Sequence, residues 1–179
     1  MNKEYWEEFY KKHRDMTPSS FAAFCKKWIA PKDKVVDVGC GNGRDTYFLN
    51  DYAKTEGVDR AVLPELLDTK FYKLELSELL KKPCKYSVVY SRFFLHAIAD
   101  EEIDGLLRWC NGLFLAEFRV VGDSPKVFTG HERNFINTKD LLQKLHILGY
   151  DVIYFEKGRG LAKYKNEDPL IGRIVARKI

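Results

Sequence analysis

The 179-residue sequence has no apolar run of the roughly 18–20 residues that a membrane-spanning helix needs. Its first residues, Met1-Asn2-Lys3-Glu4-Tyr5-Trp6-Glu7-Glu8, carry acids and aromatics and no apolar h-region, so no secretory leader is expected there. The four cysteines, Cys25, Cys40, Cys84 and Cys110, form no C-x-x-C pair and no Cys/His ligand spacing. That argues against structural zinc and leaves no metal expected; their scatter suits free thiols in a reducing cytoplasm, the expected location. No repeat, low-complexity tract or Pro/Gly/Ser-rich linker interrupts the chain, which predicts one domain over residues 1–179. The net charge of +4 is well short of the dense positive charge of a dedicated nucleic-acid binder. Basic residues thicken at Lys157, Arg159, Lys163 and Lys165 and again at Arg173, Arg177 and Lys178. Interspersed acids make that stretch a solvated face rather than an RNA groove.

What is present is enough for a sizeable core: 45% hydrophobic residues, 14% aromatic. Two N-terminal helices are expected within residues 1–30. One spans Lys3–Lys12. The other follows the capping-rich Thr17-Pro18-Ser19-Ser20, with Phe21, Phe24, Cys25 and Trp28 on one face. From residue 31 the pattern changes to strands alternating with helices. Strands are expected at Lys34–Gly39, Tyr52–Val58, Phe71–Leu74, Tyr86–Ser91, Leu113–Phe118, Asp151–Phe155 and Ile171–Ala176. Helices are expected at Arg44–Asn50, Asp100–Cys110 and Asn137–Leu148, the last stopped by Gly149. This order predicts an α/β layered sheet, mostly parallel. The last two strands leave no room for a crossover helix and are expected as an antiparallel pair at one edge.

The most informative stretch is Val35-Val36-Asp37-Val38-Gly39-Cys40-Gly41-Asn42-Gly43-Arg44-Asp45, a buried strand running into a glycine turn and then a helix. Its G-x-G-x-G spacing is not the dinucleotide fingerprint, because position 44 is Arg, and no Gly-Lys-Ser/Thr makes it a P-loop. Asp59 ends the next strand about 20 residues on, where a ribose would offer two hydroxyls to a carboxylate. Asp37 sits just before the turn and can face an ammonium. Without a third glycine or a lysine, a pyrophosphate ligand fits poorly. A nucleoside bearing an amino acid fits better, and S-adenosylmethionine is that ligand.

Val36-Asp37-Val38-Gly39-Cys40-Gly41-Asn42-Gly43 resembles motif I of the class I S-adenosylmethionine-dependent methyltransferases. Glu56-Gly57-Val58-Asp59 resembles their second motif, and Tyr86–Ser91 the strand of the fourth. The resemblance runs over nearly the whole chain. It implies a Rossmann-like fold: a seven-stranded, mostly parallel sheet with an antiparallel edge pair, helices on both faces, and the N-terminal helices covering the cofactor site. Tyr5-Trp6, Pro18-Ser19-Ser20-Phe21-Ala22, Gly43-Arg44-Asp45, Ser91-Arg92-Phe93-Phe94-Leu95-His96 and Gly160-Leu161-Ala162 with Glu167-Asp168-Pro169 are similar to a narrower branch of bacterial capsule and O-antigen methyltransferases.

By this resemblance Asp37, Gly39, Cys40 and Gly41 lie along the methionine part and Asp59 binds the ribose. Glu75 and Leu76 lie near the adenine. Arg44, Asp45, Ser19 and Ser20 help to fix the methionine end, and Ser91 and Arg92 border it. Sites in open α/β sheets gather at the carboxyl ends of strands, so acceptor groups are sought after the fourth strand. His96 is the candidate catalytic base, since imidazole titrates near the working pH. Arg119, His131 and Arg133, from the loop expected after the fifth strand, suit a phosphate- or carboxylate-bearing sugar, with Tyr5 and Tyr10 as a lid. The Asn/Asp-Pro-Pro-Tyr motif of methyltransferases that alkylate planar amines is missing; Ser91-Arg92-Phe93-Phe94 stands in its place. The expected activity is methyl transfer to a hydroxyl of a small molecule, a sugar or glycan precursor. The alternatives are a thiol or metalloid-oxyanion methyltransferase, an RNA methyltransferase, or a non-catalytic cofactor-binding partner subunit. The oligomeric state stays open.

Overall fold

The structure is a computed structural model, and it describes residues 3–12, 15–61, 68–123, 134–163 and 166–179. Seven strands form one sheet: β1 (Lys34–Val38), β2 (Lys54–Asp59), β3 (Lys70–Lys73), β4 (Val88–Arg92), β5 (Leu113–Arg119), β6 (Tyr150–Gly158) and β7 (Ile171–Lys178). Their order is β3-β2-β1-β4-β5-β7-β6. Strands β1 to β5 pair in parallel, and β7 runs antiparallel to both β5 and β6. The expected antiparallel edge pair is therefore present, with the last strand inserted inside it. Six helices are described: α1 (Lys3–Lys12), α2 (Ser20–Cys25), α3 (Arg44–Asn50), α4 (Leu76–Leu80), α5 (Asp100–Trp109) and α6 (Thr138–Ile147).

Side chains alternate across each strand, so each inner strand feeds two cores. Val35, Val88, Tyr90, Leu115 and Val175 pack on Phe21, Ala22 and Cys25 of α2 and Leu49 of α3. Val36, Val38, Val89, Phe114, Ala116 and Ile174 face Leu76 and Leu79 of α4, Ile103, Leu106 and Leu107 of α5, and Leu141 and Leu145 of α6. The strand order reverses between β1 and β4, and the carboxyl ends of these two strands open a crevice there, the usual ligand position in such sheets.

Several boundaries differ from expectation for local reasons. Helix α2 is only six residues long and continues as a 3₁₀ turn, Lys26–Trp28. Helix α4 was not expected; its five residues are too few for a periodic signal, and a reciprocal Glu75/Glu78 capping box holds its first turn. Strand β5 runs one residue further than expected, so Arg119 is a strand residue rather than loop. Strand β6 is nine residues long, with a bulge between Val152 and Tyr154 where it pairs with β7. Asn137 caps α6, its side chain accepting the Lys139 N–H. Among the described residues no helix is long and apolar enough to cross a membrane.

Phe114, fully buried near the start of β5, belongs to the larger core together with residues of α5 and α6. Phe114→Ala should lower the unfolding free energy by roughly 3–5 kcal/mol, read as a lower urea midpoint with an unchanged slope.

Candidate functional site

A cavity of about 1280 Å³ opens over the crevice. That exceeds the roughly 300–1,000 Å³ of a single small-ligand pocket and gives room for two molecules side by side. Its floor is the turn after β1. Gly39, Gly41 and Gly43 all have positive φ, at +79°, +56° and +77°. In that left-handed region glycine has no steric penalty. A Cβ on Gly39 would also fall on the ring of Phe94, and one on Gly41 would lie 2.5 Å from Cζ of Tyr10. Gly39 and Gly41 are thus required both by backbone angle and by what packs over them, and Gly43 by backbone angle.

Three carboxylates surround this turn. Asp59 ends β2; one oxygen accepts the Gly41 N–H at 2.9 Å and the other the Ala61 N–H at 2.8 Å. Burial holds its carboxyl above the usual range, although both bonds pull it down. Asp37 is the penultimate residue of β1 and, among the described residues, accepts only from the Thr46 hydroxyl, at 2.7 Å. Complete burial, helped by the charges of Asp45 and Asp59, pushes its carboxyl up to about 8. Asp45, in the first turn of α3, accepts from the N–H and hydroxyl of Ser19 and from the Tyr90 hydroxyl at 2.8, 2.6 and 2.8 Å. Arg44 lies beside it, 3.8 Å away.

A row of charges crosses the sheet on the same face. Arg92 stands opposite Glu117, Glu117 opposite Arg173, and Arg173 opposite Glu156. Glu117 is fully buried and accepts from Nε of Arg92 at 2.9 Å and from Nε of Arg173 at 2.7 Å. Arg173 donates further to the Ser20 hydroxyl and the Leu161 carbonyl. Burial works against the Arg92 charge, but Glu117, Asp45 and Tyr90 outweigh it and raise its pKa. Arg92, its Nε engaged by Glu117, also lines the cavity. Arg92 also lies 4.3 Å from the ring centroid of Phe93, a non-glycine residue held at φ +55°.

Most of the residues expected from the sequence come together here. Asp37, Gly39, Cys40, Gly41, Arg44, Asp45, Asp59, Glu75, Leu76 and Arg92 line the cavity, as do Ser19, Ser20, Tyr5, Tyr10, His96 and Arg119. Ser91 does not. Alternation turns Val88, Tyr90 and Arg92 toward α2 and α3, so Ser91 points into the opposite core, where its buried hydroxyl lacks a hydrogen-bond partner. Ser20 lines the wall but spends its hydroxyl on the Leu161 carbonyl. Arg119 is ion-paired with Glu167 and Asp123. His131 and Arg133 lie outside the described residues.

Sequence reasoning missed four contributors. Arg173 was grouped with a solvated basic face and is instead 6% exposed. Glu117 falls within the expected fifth strand but was given no role. Thr46 carried no motif, and Tyr90, within the strand resembling the fourth motif, was given no role; its register opposite Asp37 appears only in the fold. His96 is buried, and its Nδ1 accepts the main-chain N–H of Arg119 at 3.2 Å. Burial, with the Asp59 charge next, raises the pKa of Tyr10, whose ring roofs the glycine turn. Among the described residues no cluster of three His, Cys, Asp or Glu side chains is placed to hold a metal ion.

Two measurements probe this electrostatic frame. The folded protein keeps the Asp37 proton between about pH 4 and pH 8, where an unfolded chain has lost it, so stability falls as pH rises through that window. Asp37→Asn should therefore gain on the wild type between pH 5 and pH 9, on the order of 2–4 kcal/mol by urea titration, while losing affinity for a cationic ligand. Glu117→Ala leaves two buried guanidiniums uncompensated and should cost about 3–5 kcal/mol in the same titration.

No protein-family model matches the sequence, and no curated protein sequence matches it. Solved structures do match. The Burkholderia thailandensis 1,6-didemethyltoxoflavin-N1-methyltransferase, bound to 1,6-didemethyltoxoflavin and S-adenosylhomocysteine, superposes with a TM-score of 0.73 at 16% identity, covering 98% of this chain and 83% of that one. The magnesium protoporphyrin IX methyltransferase of Synechocystis, bound to S-adenosylhomocysteine, gives 0.63 at 17% identity, covering 89% and 80%. The [4+2]-cyclase SpnF gives 0.65 at 13% identity, covering 92% and 84%. One architecture here carries more than one chemistry, so the likeness speaks to the fold and not to the reaction. The chain has the Rossmann-like fold of the class I S-adenosylmethionine-dependent methyltransferases.

Proposed function

We propose that the protein is an S-adenosylmethionine-dependent methyltransferase acting on a small-molecule acceptor. The observation that carries this reading is the pair of carboxylates, buried Asp37 and half-buried Asp59, near neighbouring parallel strand ends around a glycine turn. Asp59 suits a ribose diol. Asp37 is an acid kept protonated by burial, and a cation in the cavity would complete it. Leu76 and Glu75 supply an apolar and a polar wall for an adenine. When bound, S-adenosylmethionine supplies an activated methyl carbon. The protein's part is to orient two ligands, exclude water and match their charge.

The charges of the cavity suit this. Its lining carries both signs: Asp37, Asp45 and Asp59 sit by the glycine turn, and Arg44, Arg92, Arg119 and Lys163 also border the cavity. A sugar or glycan hydroxyl, the acceptor suggested by the resemblance to capsule and O-antigen enzymes, needs a base to take its proton. A thiolate or metalloid oxyanion needs none. The choice between them turns on which nitrogen of His96 carries the proton.

Calorimetry tests the cofactor. S-adenosylhomocysteine should bind the wild type with measurable heat, and Asp59→Ala should weaken it by about tenfold or more, because two charge-assisted hydrogen bonds are lost. Labelled-methyl transfer to a panel of nucleotide sugars, glycans, thiols and RNA then identifies the acceptor class. No heat with S-adenosylhomocysteine would sink the reading.

A further inference from the structure

Strand β4 ends sooner than β5. The last cross-strand register is Arg92 opposite Glu117, and the Phe93 N–H closes the ladder on the Glu117 carbonyl at 2.7 Å. On that side the buried N–H of Arg119, two residues further along β5, has no strand to donate to. A buried main-chain N–H must find an acceptor. It finds Nδ1 of His96, at 3.2 Å. The imidazole is fixed around this bond: its own carbonyl accepts the Asn134 N–H at 2.8 Å, and Phe93 packs edge-on against the ring at 5.5 Å.

A main-chain N–H only donates. Nδ1 must therefore present its lone pair, and the neutral ring carries its proton on Nε2. We propose that His96 is a hydrogen-bond donor to the acceptor molecule rather than its base, and that the acceptor's attacking atom arrives already anionic. This rests on the methyl-transfer reading of the same cavity. A base at this position needs the opposite tautomer, which strips the Arg119 N–H of its acceptor and is disfavoured by roughly tenfold or more. In the transfer, the lone pair of the anion forms the bond to the methyl carbon while the carbon–sulfur bond of the sulfonium breaks, its electron pair staying on sulfur. The two charges cancel and no proton has to leave the acceptor.

Cations for an anionic ligand line the same cavity as His96: Arg92, Arg119 and Lys163. Of the acids that also line it, Glu167 accepts from Arg119, and Glu102 accepts the Ala99 N–H at the start of α5. A thiolate, a carboxylate and a metalloid oxyanion share the required chemistry.

The tautomer is measurable without any acceptor. Long-range proton–nitrogen correlation on ¹⁵N-histidine-labelled protein at pH 7.5, with and without S-adenosylhomocysteine, should show His96 with a protonated Nε2 and a bare Nδ1. A proton on Nδ1, in the neutral or the charged ring, overturns the proposal. The signal is assigned by its loss in His96→Gln. If that variant does not fold, replacing the other three histidines by glutamine leaves His96 as the one ring observed. Labelled-methyl transfer to dithiothreitol, benzoate and selenite supplies the second readout. His96→Gln, which retains a donor near the Nε2 position, should stay within about fivefold of wild type, and His96→Ala should fall by about tenfold or more. Equal losses of about a hundredfold in both variants overturn the donor role. If none of the three probes takes label, the tautomer alone decides. Loss of S-adenosylhomocysteine binding would instead count against the methyl-transfer reading, leaving the tautomer result intact.

Discussion

The site depends on one carboxylate removed from water. Glu117 has no solvent exposure, and a lone buried carboxylate at that depth would be prohibitively costly. It is tolerable because Arg92 and Arg173 approach it from the strands on either side, each through Nε. The arrangement constrains all three. Arg92, held through Nε, lines the cavity. Arg173 is turned toward α2 and the segment before β7, where it meets Ser20 and Leu161. One buried charge thereby ties the N-terminal helices to the far end of the sheet and aims the cation that borders the ligand space.

A second buried acid plays the opposite part. Among the described residues Asp37 has no guanidinium in contact and only the Thr46 hydroxyl as a donor, and burial leaves it protonated near neutral pH. A polar group kept short of partners in a folded core is a reserve that a ligand can draw on. Glu117 is satisfied by the protein and rigidifies it. Asp37 is left to be satisfied from outside. The contrast between two carboxylates, 80 residues apart in sequence and two strands apart in the sheet, separates scaffold from binding site on physical grounds.

The sheet was legible because its strands are buried on both faces and so leave long β-branched runs, as at Val35-Val36 and Val88-Val89. The glycine turn was legible because glycine adopts the angles found at Gly39, Gly41 and Gly43 without the steric penalty other residues meet. What stayed hidden was pairing across strands. Nothing local to Arg173 distinguishes it from the exposed Arg177 four residues on; only the register that sets it beside Glu117 does. The role of His96 was hidden for a similar reason. Its tautomer is dictated by a main-chain N–H belonging to a residue 23 positions away. Ser91 was misplaced because a strand residue's direction follows parity, and a motif letter carries no parity.

The bulge in β6 has a consequence beyond local geometry. This strand is the outer edge of the sheet, nine residues long, with Ile153 and Phe155 partly exposed. A straight, apolar rim of that length is a template on which another chain can add itself. The extra residue interrupts the regular spacing of donors and acceptors and sharpens the local twist. The rim thus offers a stranger only short stretches of matching backbone, which lets the fold keep greasy side chains at its border without inviting fibrous self-assembly.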